Sequence, residues 1–461
     1  MALIKSISGI RGTIGGTAGD NLTPLDVVKF SSAFGFWANK KTNLQTIVVG
    51  RDARVSGEIV SALVCSTLRS LGLNVIDLGL STTPTVEMAV AMENAAGGII
   101  ITASHNPGNW NALKLLNNKG EFISAADGEE VLLLSESNAL VFAPSAQLGS
   151  YTTKDDYLQK HIEHILSLPL VDKALIQSKN FKIAVDGCNS TGGIAVPMLL
   201  KALGVELVDK FFCEADGIFL RNPEPVPENL NFICNRIANG NYHLGIVVDP
   251  DVDRLALICE DGTPFGEEYS LVSISDYVLS HTPGNTVSNL SSTRALQDVT
   301  LKHGGTYFAS AVGEVNVVEK MKEVGAIIGG EGNGGIIYPA LHYGRDALVG
   351  IALFLTQLAG FKGSVSMLRA RYPSYYMSKN KIELTPKIDV DWILKLIERQ
   401  YSRQPINNTD GVRIDFDDEW VHLRRSNTEP IIRIYTESRS QATAEHLAKK
   451  IMQDIKDIIK N

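Results

Sequence analysis

Residues 97–107 read GGIIITASHNP. Gly98 to Ile101 with Thr102 read as a buried strand, and Asn106-Pro107 stops it, so Ser104 falls where a parallel strand empties into a loop. Open α/β sheets place their ligands at such strand ends. A serine hydroxyl is a weak nucleophile until a base, a metal or a prior modification changes it, and the G-x-S-x-G elbow of serine hydrolases is absent around Ser104. A turn serine bonding its own backbone is the plain alternative, and the rest of the chain decides between the two.

Residues 245–257, GIVVDPDVDRLAL, end a second apolar strand at Val247-Val248 and follow it with Asp249, Asp251 and Asp253. Residues two apart on a continuing strand share a face, but Pro250 removes a backbone donor and suggests a loop folded around one small cation. Hard oxygen ligands of this kind suit Mg²⁺, which keeps open positions for water or a phosphate oxygen. Without a cation, three close carboxylates repel one another. Solvated turn carboxylates are one alternative. Another is the Asp-x-Asp nucleophile loop of haloacid-dehalogenase-type phosphatases, with Asp249 as nucleophile and Asp251 as acid, which leaves Asp253 and the serine stretch unexplained.

Residues 421–438, VHLRRSNTEPIIRIYTES, put Arg424, Ser426, Asn427 and Thr428 in one short loop, with Arg433 on the next strand-like run. A guanidinium, two hydroxyls and an amide make the inventory of a phosphate cradle, in which charge-assisted hydrogen bonds from arginine are completed by neutral donors and turn amides. A salt-bridged hairpin would use the same residues.

The chain has 461 residues, which at about 150 per domain suggests roughly three domains, with four admissible. Its 44% hydrophobic content is ample for packed cores and argues against disorder. Cys65, Cys188, Cys213, Cys234 and Cys259 are scattered, odd in number and free of any C-x-x-C pair, which fits a reducing cytosol and neither a disulfide frame nor a zinc site. The N-terminal MALIKSISGIRG lacks the apolar core of a signal peptide, and no run is long enough to span a bilayer, so a soluble cytoplasmic protein without a membrane partner is expected. A net charge of -8 argues against nucleic acid as partner but leaves anionic substrates open, because local arginines and lysines set the field inside one cleft.

Alternating strand and helix patterns recur in three units. TIVVGRDARVSGE (46–58) gives strand, loop and a helix starting near Ser56, and NVIDLGLSTTPTVEMAVAM (74–92) repeats the pattern before the serine strand. FKIAVDGCNSTGG (181–193) begins a second unit that runs to the aspartate loop, and the third starts after Asp261-Gly262 and ends with AIIGGEGNGGIIYP (326–339). Beyond these, IDFDDEWVHLRR (414–425) and IIRIYTES (431–438) read as antiparallel strands succeeded by the amphipathic helix AEHLAKKIMQDIKDIIK (444–460), with a linker near Tyr372-Pro373-Ser374. The expected fold class is α/β, with domains at 1–150, 151–262 and 263–373 and a smaller α+β domain at 374–461. GEGNGG (330–335) fits G-x-G-x-x-G, but it runs into the proline-containing IIYPALHYG with no immediate helix, so a dinucleotide site is not expected. Glu331 and Asn333 in that loop can each bond a sugar hydroxyl, and the glycines allow close backbone approach.

Taken together, GIRG (9–12), GRDAR (50–54), TASHNP (102–107), DPDVDR (249–254), GEGNG (330–334) and RRSNTEP (424–430) resemble, in order and across the whole chain, the motifs of the α-D-phosphohexomutase superfamily. The resemblance implies a heart-shaped molecule of three α/β domains with mixed sheets and a smaller C-terminal domain, each lending a loop to a central cleft. It implies phosphorylated Ser104 as the catalytic group and one Mg²⁺ held by Asp249, Asp251 and Asp253 together with the Ser104 phosphate. Glu331 and Asn333 become the sugar-recognition loop, and Arg424, Ser426, Asn427 and Thr428 the grip on the distal phosphate. Arg11, Lys114 and Arg254 line the reaction centre, with Lys114 or His105 carrying protons. The implied reaction moves phosphate between C6 and C1 of a hexose phosphate through a 1,6-bisphosphate, with closure about hinges near Tyr372 and a monomer or homodimer as the assembly.

Departures from the family pattern sharpen the substrate question. Asn111-Ala112 stands where Asn-Gly is common, and Ala112 is expected to crowd the loop that carries Lys114. ISGIRG replaces FGTDGIRG, and Asn427 replaces a glycine of the phosphate grip. The Glu331-Gly332-Asn333-Gly334 loop differs from the common E-x-S-G-H and resembles the loop of N-acetylglucosamine phosphate mutases, which favours glucosamine phosphate over glucose or mannose phosphate.

Overall fold

The computed structural model describes residues 3–6, 9–137, 140–384, 388–425 and 431–460. The first sheet holds β1 (Ile4–Ser6), β2 (Gly9–Thr13), β3 (Thr46–Arg51), β4 (Asn74–Leu80), β5 (Gly97–Ile101), β6 (Trp110–Leu116) and β7 (Tyr151–Thr153), in spatial order β1-β2-β6-β5-β3-β4-β7. β5 runs parallel to β3 on one side and antiparallel to β6 on the other. All five residues of β5 are buried because both faces are covered. Ile99 and Ile101 share a core with the helices Pro24–Thr42 and Gly57–Ser70, while Ile100 packs with the helix Thr83–Met92. A Cβ on Gly97 would come within 2.5 Å of the Leu116 carbonyl oxygen, so the close approach of β6 explains the glycine that opens the strand.

Two expectations shift here. Lys114 lies within strand β6 and not on a loop, and Ala112 is paired with Arg11 of β2 in the same sheet. Tyr151 to Thr153 pair in parallel with β4, so the first sheet extends past the boundary expected at residue 150. Those three residues are exposed and carry no apolar alternation, which is why the pattern could not place them.

The second sheet has β8 (Lys182–Asp186), β9 (Leu207–Phe211), β10 (Leu244–Val248) and β11 (Leu255–Ile258), in order β11-β10-β8-β9. Val248 pairs with Leu255, so the aspartate loop is the whole connection of an antiparallel hairpin. The third sheet has β12 (Thr286–Asn289), β13 (Tyr307–Ser310), β14 (Ile328–Glu331) and β15 (Gly335–Ile337), in order β13-β12-β14-β15. Glu331 pairs with Gly335 across a tight hairpin, so the glycine-rich run opens no helix and makes no dinucleotide loop. Gly330 takes φ 153°, and a Cβ there would lie 1.9 Å from the Gly335 oxygen. One continuous apolar cluster runs from Ile162 to Tyr372 through both sheets, with the helix Ala347–Gly360 buried along most of its length.

The last sheet has β16 (Tyr376–Glu383), β17 (Ile406–Asn407), β18 (Val412–Asp415), β19 (Trp420–Arg425) and β20 (Ile431–Ser438), in order β16-β20-β19-β18-β17 and antiparallel throughout. It packs with the helices Val390–Gln400 and Gln441–Lys460 around a core of its own. Tyr372, near which hinges are expected, is anchored in the third unit. Tyr372 is buried, its hydroxyl meets Ser273 and Gln357, and the Tyr269 hydroxyl bonds both the Pro373 carbonyl and the Tyr375 amide. The chain thus crosses to the fourth sheet while still tied to the third. Among the described residues no helix is long and apolar enough to cross a membrane.

Candidate active site

Ser104 is buried at the end of β5 with φ 47°, a left-handed conformation that a serine seldom adopts and that marks a loop held by its surroundings. The holding is done by Arg54. Its guanidinium donates to the carbonyls of Ser104 at 2.6 Å, Asn106 at 2.7 Å, Pro107 at 2.6 Å and Trp110 at 3.0 Å, and its Nε bonds Asp52 at 3.0 Å. Asp52 in turn accepts from the Thr102 hydroxyl, whose oxygen accepts the Ser104 amide at 3.0 Å. GRDAR is thereby a clamp that sets the direction of the serine.

That direction is toward the aspartate loop. The Ser104 hydroxyl donates to Asp249 Oδ2 at 2.7 Å, while Asp249 Oδ1 accepts the amides of Asp253 and Arg254. Asp249, Asp251 and Asp253 are fully buried, and one oxygen from each lies within 4.8 Å of the others. Val252 between them has φ 64°, a strained state for a β-branched residue. Asp251 Oδ1 and Asp253 Oδ1 are buried without a hydrogen-bond donor. A buried orphan carboxylate oxygen is costly, and a hard divalent cation between these loops would satisfy both.

The remaining oxygens are neutralised from outside the loop. Lys114 Nζ lies 2.7 Å from Asp251 and 3.3 Å from Asp253, Arg345 reaches Asp253 at 2.7 Å, and the Thr83 hydroxyl bonds Asp251 at 2.6 Å. Burial, then the charges of Asp253 and Asp251, push Asp249 well above the ordinary carboxylate range. For Asp253, burial acts upward too, but Arg345, Lys114 and Arg254 outweigh it and hold the group well below that range. Burial would lower Lys114, yet Asp251 and Asp253 reverse this and keep it firmly protonated. Burial, then the charge of Arg254, holds His105 well below the usual histidine value, and its buried Nδ1 has no partner.

Across the site, Glu331 is buried and fully engaged. It accepts from Asn289 at 2.8 Å, the Gly313 amide at 3.0 Å and Arg345 at 2.7 Å. Asn333 is partly exposed and its Oδ1 accepts the Gly335 amide at 3.2 Å. Arg424 and Arg433 are directly paired across β19 and β20, and the counter-charge nearest Arg424 among the described residues is Asp410 at 3.9 Å. Among the described residues, Arg424 Nε is buried with no hydrogen-bond acceptor, as are Arg11 Nε and Arg254 Nε. Burial, then Arg433 and Arg254, depress the Arg11 guanidinium, so these cations share one region of space. Ser426, Asn427 and Thr428 lie outside the described residues.

Sequence reasoning missed Arg345. Its buried guanidinium lies 2.7 Å from Asp253, 3.0 Å from Glu314 and 2.7 Å from Glu331, joining the aspartate loop to the Glu331–Gly335 hairpin. The only local signal was an Arg-Asp pair before a very apolar helix, and nothing in that pair names carboxylates from three other segments.

Family models for phosphoglucomutase/phosphomannomutase match the chain in sequence: alpha/beta/alpha domain I at residues 3–139, domain II at 159–262, domain III at 266–375 and the C-terminal domain at 383–454. The phosphoglucomutase/phosphomannomutase of Thermococcus kodakarensis is 34% identical over 440 residues, covering 94% of this chain and 95% of that protein. The phosphoglucosamine/phosphogalactosamine mutase of Sulfurisphaera tokodaii is 30% identical over 466 residues, covering 100% and 99%. A crystal structure of a phosphoglucomutase/phosphomannomutase family protein from Burkholderia thailandensis superposes with a TM-score of 0.84 at 24% identity, covering 99% of this chain and 98% of that one, and shares the fold.

Proposed function

The chain belongs to the phosphoglucomutase/phosphomannomutase family of phosphohexomutases, and we propose that within it the enzyme interconverts glucosamine 6-phosphate and glucosamine 1-phosphate through phosphorylated Ser104. The observation that carries the reading is the Ser104 hydroxyl, clamped in a left-handed turn and aimed at 2.7 Å into a ring of three buried carboxylates.

Asp249, Asp251 and Asp253 would hold one Mg²⁺, with the phosphate on Ser104 completing its shell. When bound, the ion offsets charge on the transferring phosphoryl group, whose transition state asks mainly for positioning and electrostatics. In the first half-reaction, the free hydroxyl of the sugar monophosphate attacks phosphorus and the bond from phosphorus to Ser104 Oγ breaks, leaving a hexose 1,6-bisphosphate. His105, next to Ser104 in the chain and with a buried Nδ1 that has no partner among the described residues, is the candidate to take the hydroxyl proton, while charged Lys114 is the candidate to give one to the departing Ser104 oxygen. The bisphosphate turns over, and its other phosphate returns to Ser104. Arg11, Arg254, Arg424 and Arg433 supply donors for whichever phosphate lies far from the serine, with Ser426, Asn427 and Thr428 completing that grip.

Asn333 offers both a donor and an acceptor to the sugar, and the relative from Sulfurisphaera tokodaii carries an amino-sugar name. A second reading, glucose or mannose phosphate as substrate, is favoured by the relative from Thermococcus kodakarensis. The aspartate-nucleophile reading has less support, since both Asp249 oxygens are already bonded by Ser104 and two amides. Coupled turnover with Mg²⁺ and a trace of bisphosphate tests all three. The proposal expects the highest kcat/KM with glucosamine 6-phosphate and its loss in Ser104→Ala. Preference for glucose 1-phosphate or mannose 1-phosphate selects the second reading, and phosphate release that survives the substitution overturns the mutase mechanism.

A further inference from the structure

A second constellation of ligating groups lies where the first three units meet, outside the aspartate loop. His161 comes from the helix Tyr157–Leu166, His342 and Asp346 from the segment before the helix Ala347–Gly360, and Thr85 and Glu87 from the helix Thr83–Met92. His161 Nε2 lies 2.9 Å and His342 Nε2 3.3 Å from the same oxygen, Asp346 Oδ2. The ligand atoms of these three residues fall within 4.8 Å of one another. A tetrahedral zinc ion with bonds of about 2.0–2.1 Å keeps its ligand atoms about 3.3 Å apart, so the cluster is close to the required spacing.

The other half of His161 and of Asp346 is already held by hydrogen bonds, and that of His342 lies beside a carboxylate. His161 Nδ1 faces the Thr85 hydroxyl at 3.0 Å, Asp346 Oδ1 accepts the amides of Leu348 and Val349 at the helix cap, and His342 Nδ1 lies 3.4 Å from Glu87 Oε2. Metal-binding histidines are characteristically held this way, by a hydroxyl or a carboxylate on the nitrogen that does not bind. A second observation is independent of the triad: Glu87 is 2% exposed, and neither of its carboxylate oxygens has a hydrogen-bond donor. A buried carboxylate in that state asks for a cation nearby or a proton from one.

We infer that His161, His342 and Asp346 form a binding site for a zinc-class divalent ion, with Thr85 and Glu87 orienting the two imidazoles, and that the ion pins the first, second and third units together. Two imidazoles with one carboxylate select a borderline ion over Mg²⁺, which prefers oxygen ligands. The two metal sites therefore sort by ligand chemistry: nitrogen-rich at the junction, all oxygen at the aspartate loop. Bound, both imidazoles are neutral with the proton on Nδ1, which in His161 faces the Thr85 hydroxyl and in His342 lies beside Glu87 Oε2.

The test strips the full-length enzyme with a chelator, adds Zn²⁺ with Mg²⁺ in large excess to occupy the aspartate loop, dialyses, and counts zinc by mass spectrometry. One equivalent is expected in the unmodified enzyme and in Asp251→Asn, and none in His342→Ala or His161→Gln. Zinc should also raise the melting temperature of the unmodified enzyme and leave that of the histidine variants unmoved. Should either variant misfold by circular dichroism, the Co²⁺-loaded unmodified enzyme still decides, because two histidine ligands give two paramagnetically shifted, exchangeable imidazole N–H signals. No retained zinc, equal retention in the histidine variants, loss of zinc in Asp251→Asn, or a Co²⁺ spectrum without imidazole signals would overturn the assignment. Turnover supported by Mg²⁺ alone separates this outcome from the mutase reading, which does not depend on it.

Discussion

The two ends of the site carry opposite imbalances of charge, built in different ways. At the aspartate loop, three carboxylates within five residues are balanced by Lys114 and Arg345 brought from other units, and two oxygens still lack a partner. At the C-terminal sheet, Arg424 and Arg433 face each other across neighbouring strands with Arg11 and Arg254 close by, and among the described residues the counter-charge beside Arg424 is one aspartate at 3.9 Å. Like charges directly opposite on a sheet are destabilising. One end is thus poised for a cation and the other for an anion, which is what a sugar phosphate and a metal-assisted phosphoryl transfer require of a single cleft.

The contrast is open to direct attack. Asp251→Asn should cut turnover by about 10³-fold at saturating Mg²⁺, the several kcal/mol of charge stabilisation that a bound divalent ion supplies; retained turnover would mean that the acidic end has no catalytic part. Arg345→Met removes the cation shared by Asp253, Glu331 and Glu314, and breaking a buried pair of this kind costs about 3–5 kcal/mol. Urea unfolding would show it, and an unchanged midpoint would mean that the acidic end is balanced without help. Arg433→Ala should raise KM about 10–100-fold, matching the loss of a hydrogen bond to a charged group, while the ligand-free melting temperature holds or rises slightly because a like-charge pair is relieved. A lower melting temperature with unchanged KM would make the arginine pair structural.

An effect that depends on pH is expected at Glu268, whose carboxylate lies against Gly332 of the Glu331–Gly335 hairpin and accepts the Thr293 amide at 2.9 Å. Burial raises it from 4.5 to about 8. The folded chain therefore keeps this proton up to about pH 8, whereas the unfolded chain releases it near 4.5, so the unfolded state binds fewer protons between those values and stability falls as pH rises through that window. Glu268→Gln should flatten that fall, read as melting temperature against pH, and a slope unaltered by the substitution would place the charge elsewhere.

The same division separates the features legible in the chain alone from those that were not. Asp249, Asp251 and Asp253 lie in one hairpin loop and Ser104 in the loop that follows one strand, so the pattern of apolar run and stop placed them without any tertiary information. The zinc-class cluster joins His161 to Asp346 across 185 residues, and Arg345 reaches partners on three separate segments, so no local spacing could reveal them. Arg54 is visible within its motif, but its role as the clamp of the serine loop depends on four carbonyls about fifty residues away. The placement of Lys114 on a loop fails because β6 is short, buried and interrupted by polar Asn111 and Lys114, whose burial depends on partners from β2 and the aspartate loop. Tyr372 reads as a linker beside a proline, yet its ring fills the core shared by the second and third sheets.

The most direct measurement is peptide-resolved mass spectrometry of the enzyme after brief exposure to glucose 1,6-bisphosphate and Mg²⁺. The mutase account predicts one phosphoryl group, located on Ser104, removed on adding sugar monophosphate and absent from Ser104→Ala. A phosphoryl group on Asp249, or full turnover with Ser104 unmodified, would contradict it.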